Sequence, residues 1–174
     1  VNLLDKLPSR EMRQGWSEIF KYALLGSDNL ISSIEMYHAD NRPEFLESII
    51  RETIRVRLKI RDIDPLSSNL GHTFGHAFEK ISGFRISHGD AIAAGILLAA
   101  KFGEQAGVSR LGLYDDIYKL MNQFGLNTNL HPDFEPKLVA KTMLSDKKSS
   151  SHHINLVLLK DFATPYYGDD SLFF

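Results

Sequence analysis

Three histidines and five glycines fall between Asn69 and Ile96, and this stretch constrains the chain more than any other. His72 and His76 are four residues apart, so a helix over 73–80 sets both imidazoles on one face, one turn apart. There they can converge on one ion or one anionic ligand. Gly83 ends that helix, Arg85 to Ser87 cross back, and His88-Gly89-Asp90 opens a second helix whose body, Ala91 to Ala100, is made of small apolar residues. Asp90 suits its first turn, where the positive end of the helix dipole favours an acid. A lone histidine on an apolar face is ordinarily a core or capping residue, and even an i, i+4 pair is more often structural. The third histidine, flanked by glycines that would let backbone approach a ligand closely, shifts the balance toward a site.

Composition narrows what such a site can contain. The chain has 174 residues, enough for one sizeable core, and its 43% hydrophobic and 24% charged content is that of a globular domain. A net charge of −2 argues against a nucleic-acid or membrane-surface binder, and no apolar run approaches the ~20 residues of a spanning helix. Cysteine is absent, which leaves histidine and carboxylate as metal ligands. Val1 to Pro8 lacks a basic region leading into an apolar one, so the expected location is cytoplasmic. There is no Gly-x-Gly-x-x-Gly between strand and helix, no Walker loop and no βαβ alternation, so a dinucleotide fold is not expected from this chain.

Taken in order, the periodicity predicts a mainly helical domain over residues 1–174. Arg10 to Leu25 carries apolar residues at helical spacing, with Ser9 as N-cap and Gly26 as terminator. Helices follow over Asp28 to Tyr37 and, after a turn at Asn41-Arg42-Pro43, over Phe45 to Ile60. The inward set of the latter reads as Phe45, Leu46, Ile49, Ile50, Ile54 and Leu58, with a basic opposite face of Arg51, Arg55, Arg57, Lys59 and Arg61. Solvation accounts for most of those charges. Beyond the histidine segment, Gly103 to Gly107 loosens the chain. Ser109 to Phe124 reads as a helix with Leu111, Tyr114, Ile117, Tyr118, Leu120 and Met121 inward, and Pro132 to Leu144 as a further helix. The apolar run Ile154 to Leu159 is the one expected β element, and Asp161 to Phe174 is read as an irregular tail. His131, His152 and His153 read as exposed or structural.

Asn69-Leu-Gly-His72-Thr-Phe-Gly-His76-Ala-Phe-Glu79, followed by His88-Gly-Asp90-Ala-Ile-Ala-Ala-Gly95, closely resembles the signature of the 3-dehydroquinate synthases, members of the sugar phosphate cyclases. That family joins an amino-terminal NAD-binding domain to a helical metal-binding domain, and this chain resembles only the second. The resemblance extends to Gly15-Trp-Ser-Glu18-Ile-Phe-Lys21-Tyr22-Ala, which looks like the family's Glu-x-x-Lys segment. By spacing alone Glu18 and Lys21 would be a surface ion pair. The resemblance instead implies that Glu18 joins His72 and His88 as ligands of zinc, or of another divalent metal such as cobalt, and that Lys21 faces the substrate. It further implies that Asn69 and His76 hold phosphate and assist proton transfer. Asp146-Lys147-Lys148 resembles a segment whose lysine binds substrate phosphate, with Lys147 and Lys148 both candidates. The family's substrate-binding lysine at the end of the basic helix falls on Arg57, with Lys59 as the other candidate.

One departure stands out. The arginine that binds substrate carboxylate in the family lies four residues before the asparagine, and Pro65 occupies that place here in a shortened loop. The resemblance therefore implies the zinc-binding half of a 3-dehydroquinate synthase. The reaction would be NAD-assisted cyclisation of a seven-carbon sugar acid phosphate in the shikimate pathway, with phosphate elimination as a carbon–oxygen lyase. NAD would be bound by the companion domain, the isolated fragment would be inactive, and a homodimer is possible. Pro65 keeps open a cyclase for a neutral sugar phosphate, such as a 2-deoxy-scyllo-inosose synthase, and a non-catalytic metal-stabilised module is a separate alternative. Iron-containing alcohol dehydrogenases share the architecture but fit the metal pattern less well.

Overall fold

The computed structural model of the protein describes residues 3–128, 134–145 and 154–167. Seven helices precede one β-hairpin among these residues: α1 (Ser9–Gly26), α2 (Asp28–Ala39), α3 (Pro43–Ile63), α4 (His72–Ile81), α5 (His88–Gln105), α6 (Leu113–Gln123), α7 (Pro136–Leu144), β1 (Leu158–Asp161) and β2 (Thr164–Tyr166). The fold is mainly α, as expected. No helix among the described residues is long and apolar enough to cross a membrane.

Two helices form the middle of the molecule. α1 packs on α2, α3, α5 and the hairpin, while α5 packs on α1, α4, α6 and β1. Trp16, Phe20 and Leu24 recur along α1, and their burial around Phe124, whose ring centroid lies 4.4 Å from that of Trp16, gathers the main core. A smaller cluster of Ala77, Phe78, Ala91, Ala94, Val139 and Met143 lies where α4, α5 and α7 meet.

Several boundaries differ from the sequence reading for local reasons. Pro8 rather than Ser9 is the N-cap of α1, and no side chain caps that end. α5 continues past Gly103, because that glycine is buried and a Cβ there would collide with the Ser109 hydroxyl. α6 begins only at Leu113, after Gly112 takes φ +84°, so Leu111 lies outside the helix and is 84% exposed. On α3 the buried face is Leu46, Ile49, Val56 and Ile60, while Ile54 and Leu58 point outward at 53% and 45% exposure. α7 starts at Pro136, because Glu135 before it is extended at ψ 131° and serves as N-cap; residues 132–133 of the expected helix lie outside the described residues. The strand forms over the end of the apolar run and pairs antiparallel with part of the expected tail, Leu158 opposite Tyr166 and Leu159 opposite Pro165.

Candidate metal centre

α4 and α5 carry the histidines, and glycines set how closely these helices lie. A Cβ on Gly71 would stand 2.6 Å from Ile96 Cγ1, one on Gly75 2.7 Å from Ile92 Cδ1, and one on Gly95 would strike the Gly71 carbonyl oxygen. Gly71 also takes φ +76°, a left-handed turn that starts α4 directly after the buried Leu70. At the other end, a Cβ on Gly89 would stand 2.5 Å from the Cα of Gln14, so only glycine lets the start of α5 press against α1. Gln14 is one turn before Glu18, and this contact brings His88 alongside that carboxylate. The glycines thus make room for neighbouring helices, and the expectation that they make room for a ligand is corrected.

Glu18, His72 and His88 each offer one ligand atom, and the three atoms lie within 4.8 Å of one another. Glu18 Oε1 is 3.7 Å from His72 Nε2 and 3.9 Å from His88 Nε2. This oxygen is buried without a hydrogen-bond partner among the described residues, although an unsatisfied buried carboxylate oxygen is costly. Two bonds of zinc length at a tetrahedral angle would put donor atoms about 3.4 Å apart, and the two distances from Glu18 Oε1 exceed that by only a few tenths of an ångström. Two imidazoles and one carboxylate also match the three-ligand set that leaves a fourth position open. The residues therefore fit a divalent metal.

The surroundings select the nitrogens that face that point. His72 Nδ1 lies 3.1 Å from the Leu70 carbonyl and must donate to it, which leaves Nε2 as a free lone pair. Burial, followed by the charge of Lys21, pushes His72 down to about 4, so the ring is neutral at physiological pH, as a ligand must be. Lys21 is 3% exposed and its Nζ sits 2.7 Å from Glu18 Oε2. The expected ion pair exists, but its lysine is buried while Glu18 is 36% exposed. Desolvation lowers the Lys21 pKa, and Glu18 opposes that effect.

The other site residues fall around this triad. His76 lies on the same face of α4 with its ring 5.4 Å from that of His72 and 6.4 Å from that of His88, beside the triad rather than in it. Asn69 ends a short 3-10 helix, Pro65–Asn69, three residues ahead of His72. Asp64 opens that helix by accepting from the Leu66 N–H at 3.0 Å and the Ser67 hydroxyl at 2.6 Å, so Pro65 sits in a tight turn. On the basic face of α3, Arg51, Arg55 and Arg61 pair with neighbouring acids, Glu47, Glu52 and Asp62. Arg57 is exposed, and its charge reaches Lys21 and Tyr22: it adds to the desolvation that lowers the Lys21 pKa and opposes the desolvation that raises that of Tyr22. Lys147, Lys148, His131, His152 and His153 lie outside the described residues. On either side of 146–153, Ser145 receives a hydrogen bond from Lys80 and the Asn155 carbonyl one from Thr73, both on α4. Sequence reasoning gave no role to Glu79, whose Oε1 lies 3.1 Å from His88 Nδ1. Its signal was the spacing His72, His76, Glu79, which sets all three on one helical face.

The family described as 3-dehydroquinate synthase C-terminal matches residues 15–149, a range that contains all three triad residues. The chain belongs to that family. Named 3-dehydroquinate synthases align along nearly all of it: one from Clostridium perfringens is 30% identical over 95% of this chain and 49% of its own length. One from Dehalococcoides mccartyi is 33% identical over 99% and 50%. A third, from Pyrococcus abyssi, is 36% identical over 84% and 44%. The chain thus spans about half the length of these curated dehydroquinate synthases. Solved structures with the same fold include a 2-epi-5-epi-valiolone synthase from Streptomyces hygroscopicus with NAD+ and Zn2+ bound. Its TM-score is 0.82 at 19% identity over 98% of this chain and 50% of that one. A 2-deoxy-scyllo-inosose synthase complexed with carbaglucose-6-phosphate, NAD+ and Co2+ scores 0.79 at 24% identity over 97% and 50%.

Proposed function

We propose that this chain is the metal- and substrate-binding half of a 3-dehydroquinate synthase, which cyclises a seven-carbon sugar acid phosphate with loss of phosphate. The observation that carries the reading is the orphaned Glu18 Oε1, aimed between the Nε2 atoms of His72 and His88. Glu18, His72 and His88 would hold zinc or cobalt, which when bound supplies a Lewis acid for substrate hydroxyls. Lys21 holds the other oxygen of Glu18 and presents positive charge at the site's floor. His76, neighbouring the triad but outside it, would serve in proton transfer, and together with Asn69 it would meet the phosphate. Lys147 or Lys148 would add a compact cation there, a role supported by the two ties of flanking residues to α4. NAD would come from a companion domain, a reading supported by the NAD+ bound in the two solved cyclases with this fold.

Pro65 favours a second reading, in which the substrate is a neutral sugar phosphate. Against it, Arg57 stands exposed on the helix leading to the site, with its charge felt at Lys21, and it can replace the arginine missing at 65. A bidentate arginine contributes geometry as well as charge, so Arg57→Ala should cost about 2 to 4 kcal/mol in transition-state binding of an acidic substrate. A neutral substrate should be almost indifferent. The test is turnover by the full-length protein containing this chain, wild type and Arg57→Ala, on the seven-carbon sugar acid phosphate and on glucose 6-phosphate. Cyclisation of glucose 6-phosphate alone would replace the first reading with the second, and turnover of neither would defeat both.

A further inference from the structure

Glu79 is the one side chain among the described residues recorded on the Nδ1 of His88, and it belongs to neither the ligand triad nor the substrate roles proposed above. We infer that Glu79 is a positioning residue for the metal centre: its carboxylate holds His88 as the Nδ1–H tautomer and aims Nε2 at the point shared with Glu18 and His72. The inference rests on the metal-binding reading and deepens it.

The two histidine ligands are held in different ways. His72 is largely buried, at 15% side-chain exposure, and its Nδ1 is fixed by a backbone carbonyl two residues away. Substitution of side chains cannot remove that carbonyl. His88 is the first residue of α5 and is 45% exposed, so packing alone leaves its ring free to turn. Glu79 lies on the preceding helix, 14% exposed, with Oε1 3.1 Å from Nδ1, while on the far side of the same ring Nε2 lies 3.9 Å from Glu18 Oε1. The two carboxylates therefore bracket one imidazole. An ionised carboxylate can only accept, so the proton must sit on Nδ1 and the lone pair on Nε2. A carboxylate behind a ligating histidine fixes tautomer and orientation and raises the basicity of the ligand.

The loop between the helices is built to deliver this contact. The Glu79 carbonyl accepts from the Phe84 N–H at 2.7 Å and from the Ser82 hydroxyl at 2.9 Å, closing the end of α4. Ser87 then caps α5, its hydroxyl exchanging hydrogen bonds with Asp90. Glu79 and His88 are thereby set face to face across a turn whose two ends are both tied down. Lys80, the next residue on α4, turns instead to Ser145 and supplies a matched control.

The test is cobalt(II) binding by the 174-residue chain in competition with a chelator, followed by absorption of the bound ion. Wild type, Glu79→Ala, Glu79→Gln, Lys80→Ala and His72→Ala are compared. Glu79→Ala should weaken binding ten- to a hundredfold and alter the cobalt spectrum. Glu79→Gln, which keeps an acceptor oxygen, should recover most of the affinity, and Lys80→Ala should bind like wild type. Nitrogen-15 spectra of the metal-free imidazoles add a readout that folding alone would not move: a predominant Nδ1–H tautomer for His88 in wild type and Glu79→Gln, and a tautomer mixture in the alanine variant. Wild-type affinity in Glu79→Ala, or an unchanged His88 tautomer in that variant, would overturn the inference while leaving the metal site intact. Equal weak binding by wild type and His72→Ala would instead defeat the metal reading beneath it.

Discussion

Burial, and after it the ammonium of Lys21, pushes His72 down to about 4 from an ordinary 6.5, and this has a thermodynamic consequence in the metal-free protein. Between those two values the unfolded chain binds a proton at this ring that the folded chain refuses. Stability from this site is therefore fully present above pH 6.5 and is lost progressively as pH falls toward 4. Urea unfolding at several pH values should show wild type losing stability through this window more steeply than His72→Asn. Parallel curves would refute the assignment. Glu18 carries a second test at the same scale. Glu18→Gln leaves the ammonium of Lys21, 3% exposed, without its counterion, so stability should fall even without metal. Because Glu18 is itself 36% exposed, solvent screens the pair and the expected loss is about 1 to 3 kcal/mol, less than for a fully buried pair. The double variant Glu18→Gln/Lys21→Met should regain part of it, since it removes the stranded charge. A double variant no more stable than Glu18→Gln would show that the charge is not the cause.

At the scale of elements, the seat of α4 on α5 depends on glycine packing, and two glycines separate that effect from helix propensity. Gly95→Ala forces a methyl group onto the Gly71 carbonyl, where backbone must yield, and should cost about 1 to 3 kcal/mol. Gly15→Ala sits inside α1 with nothing within 4 Å of the added carbon, and should stabilise by roughly 0.5 to 1 kcal/mol. Thermal or chemical unfolding of both variants checks the contrast, and equal signs would sink the packing argument. The same elements show why part of the structure was legible in sequence. Histidine spacing, the His88-Gly89-Asp90 opening and the glycine stop predicted α4 and α5 because each depends on residues within a turn or two. The buried face of α3 was misread because Ile54 and Leu58 continue an apolar period that Val56 and Ile60 also satisfy. Contact with α1 and α2 decides between the two faces. β2 was missed because Thr164-Pro165-Tyr166 is three residues long with a proline at its centre, too short a signal despite Thr and Tyr, and pairs with β1. Glu79 was quoted in the motif yet given no role, since its partner arrives from the next helix.

For the whole molecule, the position of the triad predicts what chelation does. The main core runs through α1, α2, α3, α5, α6 and β1 without using any triad side chain, and Trp16, Phe20, Leu24, Ile92 and Ile96 are buried in it whatever occupies the site. The triad lies at its margin, with His88 45% exposed, so a bound metal would join α1, α4 and α5 at one edge rather than form the centre of the fold. A structural zinc in a domain without a core supplies the folding free energy itself, whereas here burial supplies it. Metal should then act as an ordinary ligand of the native state, adding about 2.7 kcal/mol at a hundred times its dissociation constant. For a chain of this length that corresponds to a rise in melting temperature of about 5 to 10 °C. Circular dichroism during titration with a chelator should therefore show helical signal retained at 25 °C and a melting transition lowered by that amount. Glu18→Gln should melt at the same temperature with and without zinc. Collapse of the helical signal on chelation would mean that the metal, not the apolar core, holds these helices together.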